Sequence, residues 1–164
     1  MTVPVSLPPI VFAKIFSEQE CQQMILFSET QQWNIEQDTV DQKPAWELNV
    51  RKHPLGQAAA MRLRQRLLEE RDDITLKNFQ IFIRKYDAAS RQSLSPHADR
   101  SVVSFTVALN DNYEGGDFVA INASNESACI PLSTGDAVVF DGMVLHAVTP
   151  VTVGTRYSLV MHCI

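Results

Sequence analysis

The sequence has few cysteines, no long apolar run and no basic cluster, and each shortage excludes a class of protein. Its three cysteines, Cys21, Cys129 and Cys163, are far apart and form no C-x-x-C motif. A disulfide framework or a zinc knuckle is therefore not expected, and we predict Cys129 and Cys163 to be buried thiols in a reducing cytoplasm. No apolar run reaches the roughly 20 residues that span a bilayer, so no membrane segment is expected.

The charge of the chain excludes further partners. Acidic residues outnumber Lys and Arg by 19 to 14, the net charge is −5, and the basic residues form no block. Neither nucleic acid nor an anionic membrane is therefore an expected partner. The amino terminus has no positive segment and is interrupted by Pro4, Pro8 and Pro9, so a secretory signal is not expected. The oligomeric state is left open.

Length and composition indicate one domain. The 164 residues are 45% hydrophobic and 20% charged, which is typical of a globular unit with a continuous core. The hydrophobic period changes near residue 75, from helical to alternating. We therefore predict a single domain over residues 1–164, with a helical part over about 1–75 and a β-rich core over about 76–164.

The part before residue 75 has a helical pattern. Ser17 and Glu20 form a capping box at the start of a first helix, which Trp33 is expected to close. A second helix is predicted over about 55–71. The polar residues 34–50 between the helices could form a lid over a site. Core-facing positions are expected at Cys21, Met24, Ile25 and Ser28 in the first helix and at Ala59, Leu63 and Leu67 in the second.

From residue 79 onward, short runs rich in β-branched and aromatic residues alternate with turn-forming clusters. The runs are QIFIRKY, SVVSFTVAL, DFVAI, DAVVF and RYSLVMHC. Two helices followed by many short strands indicate a mainly β chain of the α+β class. We predict a jelly roll, because its two sheets protect the edges of so many strands, with the amino-terminal helices buttressing one sheet.

Two histidines and one aspartate have the pattern of a metal site. His97 and Asp99 lie two residues apart, so on a strand both side chains point to the same side. Alone, this pair could equally be a loop pair on the surface. With His146 further along the chain, the three form the facial triad typical of non-haem iron(II) oxygenases, which leaves three coordination positions open. We predict His97, Asp99 and His146 as iron(II) ligands and catalytic residues.

The last predicted strand alternates between a polar and an apolar face. The polar face carries Arg156, Ser158, Val160 and His162, and the apolar face carries Tyr157, Leu159, Met161 and Cys163. The guanidinium of Arg156 and the hydroxyl of Ser158 together suit a carboxylate, such as the distal carboxylate of 2-oxoglutarate. A surface ion pair is the alternative for Arg156.

The strand QIFIRKY alternates in the same way. Arg84 and Tyr86 share one face, opposite Ile81 and Ile83. Tyr86 could donate its phenol to the cosubstrate or pack in the core. Arg84 could contact an acidic or carbonyl-bearing substrate or form a salt bridge. The next strand adds a small, mildly polar face with room for a ligand, formed by Ser104, Thr106 and Ala108.

The remaining histidines, His53 and His162, have no partner at ligand spacing. His162 shares a face with Arg156, but six residues along a strand span roughly 20 Å, which is too far for a shared metal. We therefore predict that both histidines are structural or exposed.

The segments PHADRSVVSFTVALNDNYEGGDF and GDAVVFDGMVLHAVTPVTVGTRYSLVMHC resemble the catalytic domain of prolyl and lysyl hydroxylases, which are iron(II)- and 2-oxoglutarate-dependent dioxygenases. The resemblance covers roughly residues 80–164. It implies a double-stranded β-helix, iron on the three predicted ligands, 2-oxoglutarate on Arg156 with a contact from Tyr86, dioxygen as cosubstrate, and possible ascorbate dependence. It also implies that the turn at residues 114–116 belongs to the scaffold.

The resemblance implies hydroxylation of an unactivated C–H bond. Halogenating relatives have a small residue in place of the metal carboxylate, so Asp99 favours hydroxylation. A peptidyl prolyl or lysyl residue is the leading substrate class, and a free amino acid or another small molecule is the alternative. Two other classes stay open: a cupin-like metal-binding protein that does not use 2-oxoglutarate, and a non-catalytic binding module.

Overall fold

The structure, a computed structural model, describes residues 7–164. Residues 1–6 lie outside this part. They include Pro4, one of the three prolines on which the prediction against a secretory signal rests. The helices are α1 (Glu18–Glu29) and α2 (Pro54–Glu70). The strands are β1 (Ile10–Phe12), β2 (Trp46–Asn49), β3 (Phe79–Asp87), β4 (Leu94–His97), β5 (Val103–Ala108), β6 (Glu114–Gly115), β7 (Phe118–Ile121), β8 (Ser127–Cys129), β9 (Ala137–Asp141), β10 (Leu145–Val148), β11 (Val151–Val153) and β12 (Thr155–Cys163).

Helix α1 begins at the predicted capping box. Ser17 Oγ accepts a hydrogen bond from the backbone N–H of Glu20, and the Glu20 carboxylate accepts one from the N–H of Ser17. The helix ends at Glu29, where the N–H and hydroxyl of Thr30 both donate to the carbonyl of Phe27. The prediction that Trp33 closes the helix was wrong, because Thr30 already satisfies the last turn.

Helix α2 agrees with its predicted range. His53 caps it, accepting at Nδ1 from the N–H of Leu55, and Pro54 occupies the first turn, where its missing N–H costs nothing. The predicted stripe of Ala59, Leu63 and Leu67 is fully buried.

The strands form two main sheets and a small ribbon. The large sheet has the order β1-β9-β5-β12-β3-β2, the smaller one has the order β4-β10-β7-β8, and β11 pairs with β6. All pairings are antiparallel. Strand β12 is hydrogen-bonded on both sides, to β3 and to β5, so it holds a central position in the large sheet.

The part predicted as helical also supplies two strands. β1 pairs with β9 and β2 pairs with β3, so they form the two edges of the large sheet. Both strands have four residues or fewer, which is too short for an alternating pattern to be recognised. Residues 34–50 are not a free loop, because the bridges Asn34–Glu47 and Gln37–Pro44 and strand β2 fold them into an irregular hairpin.

One face of the large sheet packs against both helices. Ile83, Phe105 and Leu159 belong to the same buried cluster as Met24 of α1 and Leu63 of α2. Each such side chain contributes about 1.5–3 kcal/mol by leaving water. The other face of the sheet is turned toward the smaller sheet and lines a cavity.

Of the two cysteines predicted to be buried, only Cys163 is. Cys163 lies on the packed face of β12, whereas Cys129 is exposed. The prediction for Cys129 was wrong because β8 is an edge strand of the smaller sheet and all three of its residues face solvent. Among residues 7–164, neither helix combines the length and the apolar character that crossing a membrane requires.

Candidate active site

A cavity of 420 Å³ opens between the two sheets. All seven residues that the sequence singled out line it: Arg84, Tyr86, His97, Asp99, His146, Arg156 and Ser158. They come from β3, β4, β10 and β12 and from the turn after β4, so the fold gathers segments that are far apart in the chain.

The predicted metal triad converges at one end of the cavity. Strands β4 and β10 pair so that His97 lies opposite His146, and Asp99 follows directly after β4. Nε2 of His97 is 3.2 Å and Nε2 of His146 is 3.5 Å from Oδ1 of Asp99. One donor atom from each residue lies within 4.8 Å of the other two. These donors are close enough to bind a single ion.

Backbone carbonyls orient both imidazoles. Nδ1 of His97 is 2.8 Å from the carbonyl oxygen of Ser95, and Nδ1 of His146 is 2.9 Å from that of Val144. A carbonyl oxygen only accepts hydrogen bonds, so each Nδ1 carries the proton and donates it. When such a ring loses its second proton, the lone pair is on Nε2, which faces Asp99 and the cavity.

The surroundings of Asp99 and His146 favour the protonation states in which these two groups bind a metal. Burial raises the pKa of Asp99, but contacts with His97, His162 and His146 and a 2.6 Å hydrogen bond from Ser104 Oγ to its Oδ2 outweigh burial and bring this pKa below the usual range. Burial lowers the pKa of His146, although Asp99 opposes the shift. An anionic carboxylate and a neutral imidazole are the forms that bind metal ions.

The chemistry of the donor set fits iron(II). Two imidazole nitrogens and one carboxylate oxygen are the ligand set of non-haem iron(II) oxygenases, and the three residues that would supply them line the cavity. Aromatic rings support His146 from behind, with centroids 5.4 Å away for Phe118 and 4.7 Å away for Phe140. This apolar shell limits the access of water to one side of the site.

Arg156 is a buried cation without a carboxylate partner in residues 7–164. It is 3% exposed, its Nη1 donates to Ser158 Oγ at 3.2 Å, and its Nε has no hydrogen-bond partner there. Its guanidinium carbon is 5.4 Å from the ring centroid of the buried Tyr86. Burying a charge without a counter-ion is costly. The arrangement is therefore suited to binding an anion that enters the cavity.

The turn at residues 114–116 makes room for this arginine. Gly116 has a φ of +65°, and a Cβ there would lie 3.0 Å from Cδ of Arg156 and 2.8 Å from Cγ2 of Val151. A larger residue at this position would be strained by the positive φ and would crowd Val151 and the aliphatic part of Arg156. Glu114 and Gly115 form β6, which anchors the turn to β11.

Arg84 takes part in a salt bridge, one of its two predicted alternatives. It lies 2.8 Å from Asp38 Oδ2 and 3.1 Å from Glu47 Oε2, and both of these acidic residues also line the cavity. Arg91 adds a 2.9 Å ion pair with Asp41. The hairpin at residues 34–50, predicted as a possible lid, thus forms one wall of the cavity and is tied down by two arginines.

His162 also lies in the cavity, which contradicts its predicted place. Its Nε2 is 3.4 Å from Oδ2 of Asp99. The prediction considered only the distance from Arg156 along β12. His162 reaches Asp99 across the sheet, because it pairs with Ser104 of the neighbouring strand β5, and Ser104 donates a hydrogen bond to Asp99. The alternating pattern had already placed His162 on the polar face, which was the signal that could have identified it.

Comparison with known proteins identifies the family. The model of the 2OG-Fe(II) oxygenase superfamily matches residues 81–163, and the chain belongs to this superfamily. A PKHD-type hydroxylase of Delftia acidovorans is 44% identical over 61 residues, which cover 36% of this chain and 26% of the relative. Another, from Pseudomonas putida, is 40% identical over 75 residues, which cover 44% and 33%. The chain thus matches about a third or less of each of these relatives.

Solved structures share the fold at low sequence identity. A prolyl-4-hydroxylase of Pseudomonas putida superimposes with a TM-score of 0.77 at 18% identity, covering 96% of this chain and 92% of that one. A viral collagen prolyl hydroxylase from Paramecium Bursaria Chlorella virus-1, solved with 2OG, has a TM-score of 0.73 at 16% identity and covers 94% of each chain. These likenesses confirm the predicted double-stranded β-helix with its helical buttress.

Proposed function

We propose that this protein is an iron(II)- and 2-oxoglutarate-dependent dioxygenase that hydroxylates an unactivated C–H bond, and that residues 1–164 act as a single catalytic domain. The observation that carries the proposal is the buried, unpaired guanidinium of Arg156 in the same cavity as the triad. A metal site alone fits many functions, whereas a metal site beside a buried carboxylate receptor fits a metal-chelating oxoacid.

His97, Asp99 and His146 would hold the iron. Bound iron(II) would couple the conversion of 2-oxoglutarate and dioxygen to succinate and carbon dioxide with the hydroxylation of the substrate. The two imidazoles would bind it through Nε2, because backbone carbonyls engage their Nδ1 atoms. Asp99 supplies negative charge, which lowers the cost of bringing a cation into a partly buried site.

Arg156 would bind the distal carboxylate of 2-oxoglutarate. Its planar fork matches a carboxylate with two parallel hydrogen bonds, and Ser158 and Tyr86 can each add a hydroxyl donor. Ser158 already contacts the guanidinium, and the ring of Tyr86 lies beside it. Tyr86 packs with Leu94, Val148 and Val151, and this apolar surround strengthens the charge interaction.

The proposed substrate is a peptidyl prolyl or lysyl residue, with a free amino acid or another small molecule as the alternative. The structural neighbours include two prolyl hydroxylases, which supports the first class. The cavity lining includes the polar residues Gln80, Glu47 and Arg84. We propose Arg84 as a substrate contact, since its ion pairs with Asp38 and Glu47 hold it at the cavity wall.

Two further features belong to the proposal. Ascorbate is proposed as a reductant that sustains turnover, by analogy with the family. A cytoplasmic location is proposed because all three cysteines are free thiols, as expected in a reducing compartment.

The proposal is tested by anaerobic titration of the purified protein with iron(II) and then with 2-oxoglutarate, followed by ultraviolet-visible absorption. We expect the weak metal-to-ligand charge-transfer band of the oxoacid chelate. Arg156→Ala should weaken 2-oxoglutarate binding severely while iron binding persists. Arg71→Ala is the matched control, because Arg71 pairs with Asp73 at the exposed end of α2 and should leave both titrations unchanged.

Two results would contradict the proposal. Wild-type protein that binds iron(II) but no 2-oxoglutarate would indicate the cupin-like alternative. An iron-loaded sample that releases no succinate with any candidate substrate, and whose behaviour is the same after His146→Ala, would indicate a non-catalytic binding module. A positive titration would be followed by screening prolyl peptides, lysyl peptides and free amino acids for succinate release.

A further inference from the structure

His162 stands beside the proposed metal ligands without belonging to them. Its side chain is only 21% exposed, and its Nε2 lies 3.4 Å from Oδ2 of Asp99. The group of donors within 4.8 Å of one another contains His97, Asp99 and His146 but not His162. A third, partly buried imidazole at this place therefore needs a role other than that of a fourth ligand.

The two oxygens of Asp99 face different partners. Oδ1 faces Nε2 of His97 and of His146, so it is the oxygen directed to the ion. Oδ2 accepts the short hydrogen bond from Ser104 and faces His162. We call Oδ2 the outer oxygen of Asp99. A carboxylate whose outer oxygen is held by hydrogen bonds offers a single oxygen to the metal, which preserves open coordination positions for other ligands.

The sheet fixes His162 next to Ser104. The two residues are paired in register on β12 and β5, so their side chains emerge side by side on the cavity face. The ring of Phe82, on the other neighbouring strand, meets the imidazole edge-on at 5.4 Å. The His162 ring thus packs between the neighbouring strands, and this packing directs its Nε2 toward Asp99.

We propose that His162 is a positioning residue, which together with Ser104 holds the outer oxygen of Asp99 by presenting an N–H to it. The inference rests on the proposed function, because it assumes a metal at the triad. Groups that hydrogen-bond metal ligands typically change metal affinity by 10–100-fold. The separation of 3.4 Å is longer than an ordinary N–H···O bond, so we expect an effect of about tenfold.

The test measures the dissociation constant of Mn(II) and the absorption spectrum of Co(II) in full-length variants without 2-oxoglutarate. His162→Phe keeps an aromatic ring against Phe82 but removes the N–H, and it should weaken Mn(II) binding about tenfold and alter the Co(II) spectrum. His162→Gln keeps an N–H donor and should recover most of the affinity. His53→Asn is the matched control, because it removes an imidazole outside the cavity and leaves a good helix cap.

The outcomes separate this inference from the proposed function. Wild-type Mn(II) affinity and an unchanged Co(II) spectrum in His162→Phe, with an unchanged melting temperature, would overturn the positioning role even if turnover fell. His162→Met replaces the Phe variant if that variant does not fold. Wild-type protein that binds Mn(II) but not 2-oxoglutarate contradicts the proposed function alone, and the His162 comparison still decides the inference. Wild-type protein that binds no divalent metal overturns both.

Discussion

The two faces of strand β12 differ in what their residues contribute. Leu159, Met161 and Cys163 point toward the helices and are fully buried in the core. Arg156 and Ser158 are equally buried but face the cavity, where the guanidinium has no acidic partner in the described chain. Burial alone therefore does not distinguish core from site. The distinction lies in whether the buried group is satisfied by its neighbours, because an unsatisfied buried charge reduces stability until a ligand binds.

The largest stability effect is expected on the packed face. Leu159→Ala should lower the free energy of unfolding by about 2–5 kcal/mol, because it leaves a void against the helices. Urea unfolding followed by circular dichroism measures this loss. Val160→Ala, one position along the strand on the cavity side, is the matched comparison and should cost less, since its surroundings are already open. Equal losses for the two variants would contradict the difference between the faces.

Replacing the charged residue on the cavity face is expected to change the free energy of unfolding in the opposite direction. Arg156→Met replaces the unpaired guanidinium by an apolar chain of similar length, so unfolding without ligand should be unchanged or harder by about 1 kcal/mol. Adding 2-oxoglutarate and Mn(II) should raise the melting temperature of the wild type, whereas the oxoacid should add no stabilisation to the variant. A variant that loses more than about 2 kcal/mol would indicate that Arg156 supports the fold through a protein partner.

A smaller, pH-dependent effect is expected at the start of α1, outside the cavity. A hydrogen bond from Arg62 lowers the pKa of Glu20 from 4.5 to about 2. The folded state thus prefers ionised Glu20, so its contribution is present above pH 4.5 and disappears as the pH falls toward 2. Both side chains are more than a third exposed, so this contribution should stay below about 1 kcal/mol.

Glu20→Gln isolates this contribution, since glutamine keeps the capping box and removes the charge. Wild type and variant should differ in urea unfolding at pH 7 and converge as the pH falls through about 2, and added salt should shrink the difference at pH 7. A difference that persisted at low pH would assign the effect to the cap instead of the ion pair.

The smallest stability effect is expected on an edge strand of the smaller sheet. Cys129→Ser should change the free energy of unfolding by less than about 0.5 kcal/mol, because its side chain is exposed. Burial raises the pKa of the Cys21 thiol to about 11 and that of Cys163 to about 12, so neither should react at pH 8 in the folded state. A thiol reagent should label one cysteine in native wild type, none in the variant, and three in denatured wild type.

The parts of the fold that could be predicted were those with a repeated local signal. In the nine-residue strands β3 and β12, the alternation of side chains between the two faces is long enough to show which residues share a face. The capping box identified the start of α1 from four consecutive residues. The order of His97, Asp99, His146 and Arg156 along the chain is itself the pattern that predicts the chemistry of the site.

The remaining features depend on contacts between distant segments, which a single sequence does not reveal. The short edge strands β1 and β2 exist because longer strands pair with them. The place of His162 beside Asp99 follows from the register of β5 against β12, and the exposure of Cys129 follows from the strand order of the smaller sheet. Arg84 forms salt bridges with Glu47, which is 37 positions away in the chain, and with Asp38, which is 46 positions away.

The hydrogen bonds that orient the two triad imidazoles end on main-chain oxygens, two residues before each histidine. Every amino acid has such an oxygen, so replacing the side chains of Ser95 or Val144 leaves both acceptors in place as long as β4 and β10 keep their pairing. The side chains around the metal triad can therefore change, and substrate specificity with them, without altering the orientation of the two imidazoles. Robustness of this kind comes from the backbone and does not depend on which side chains flank the histidines.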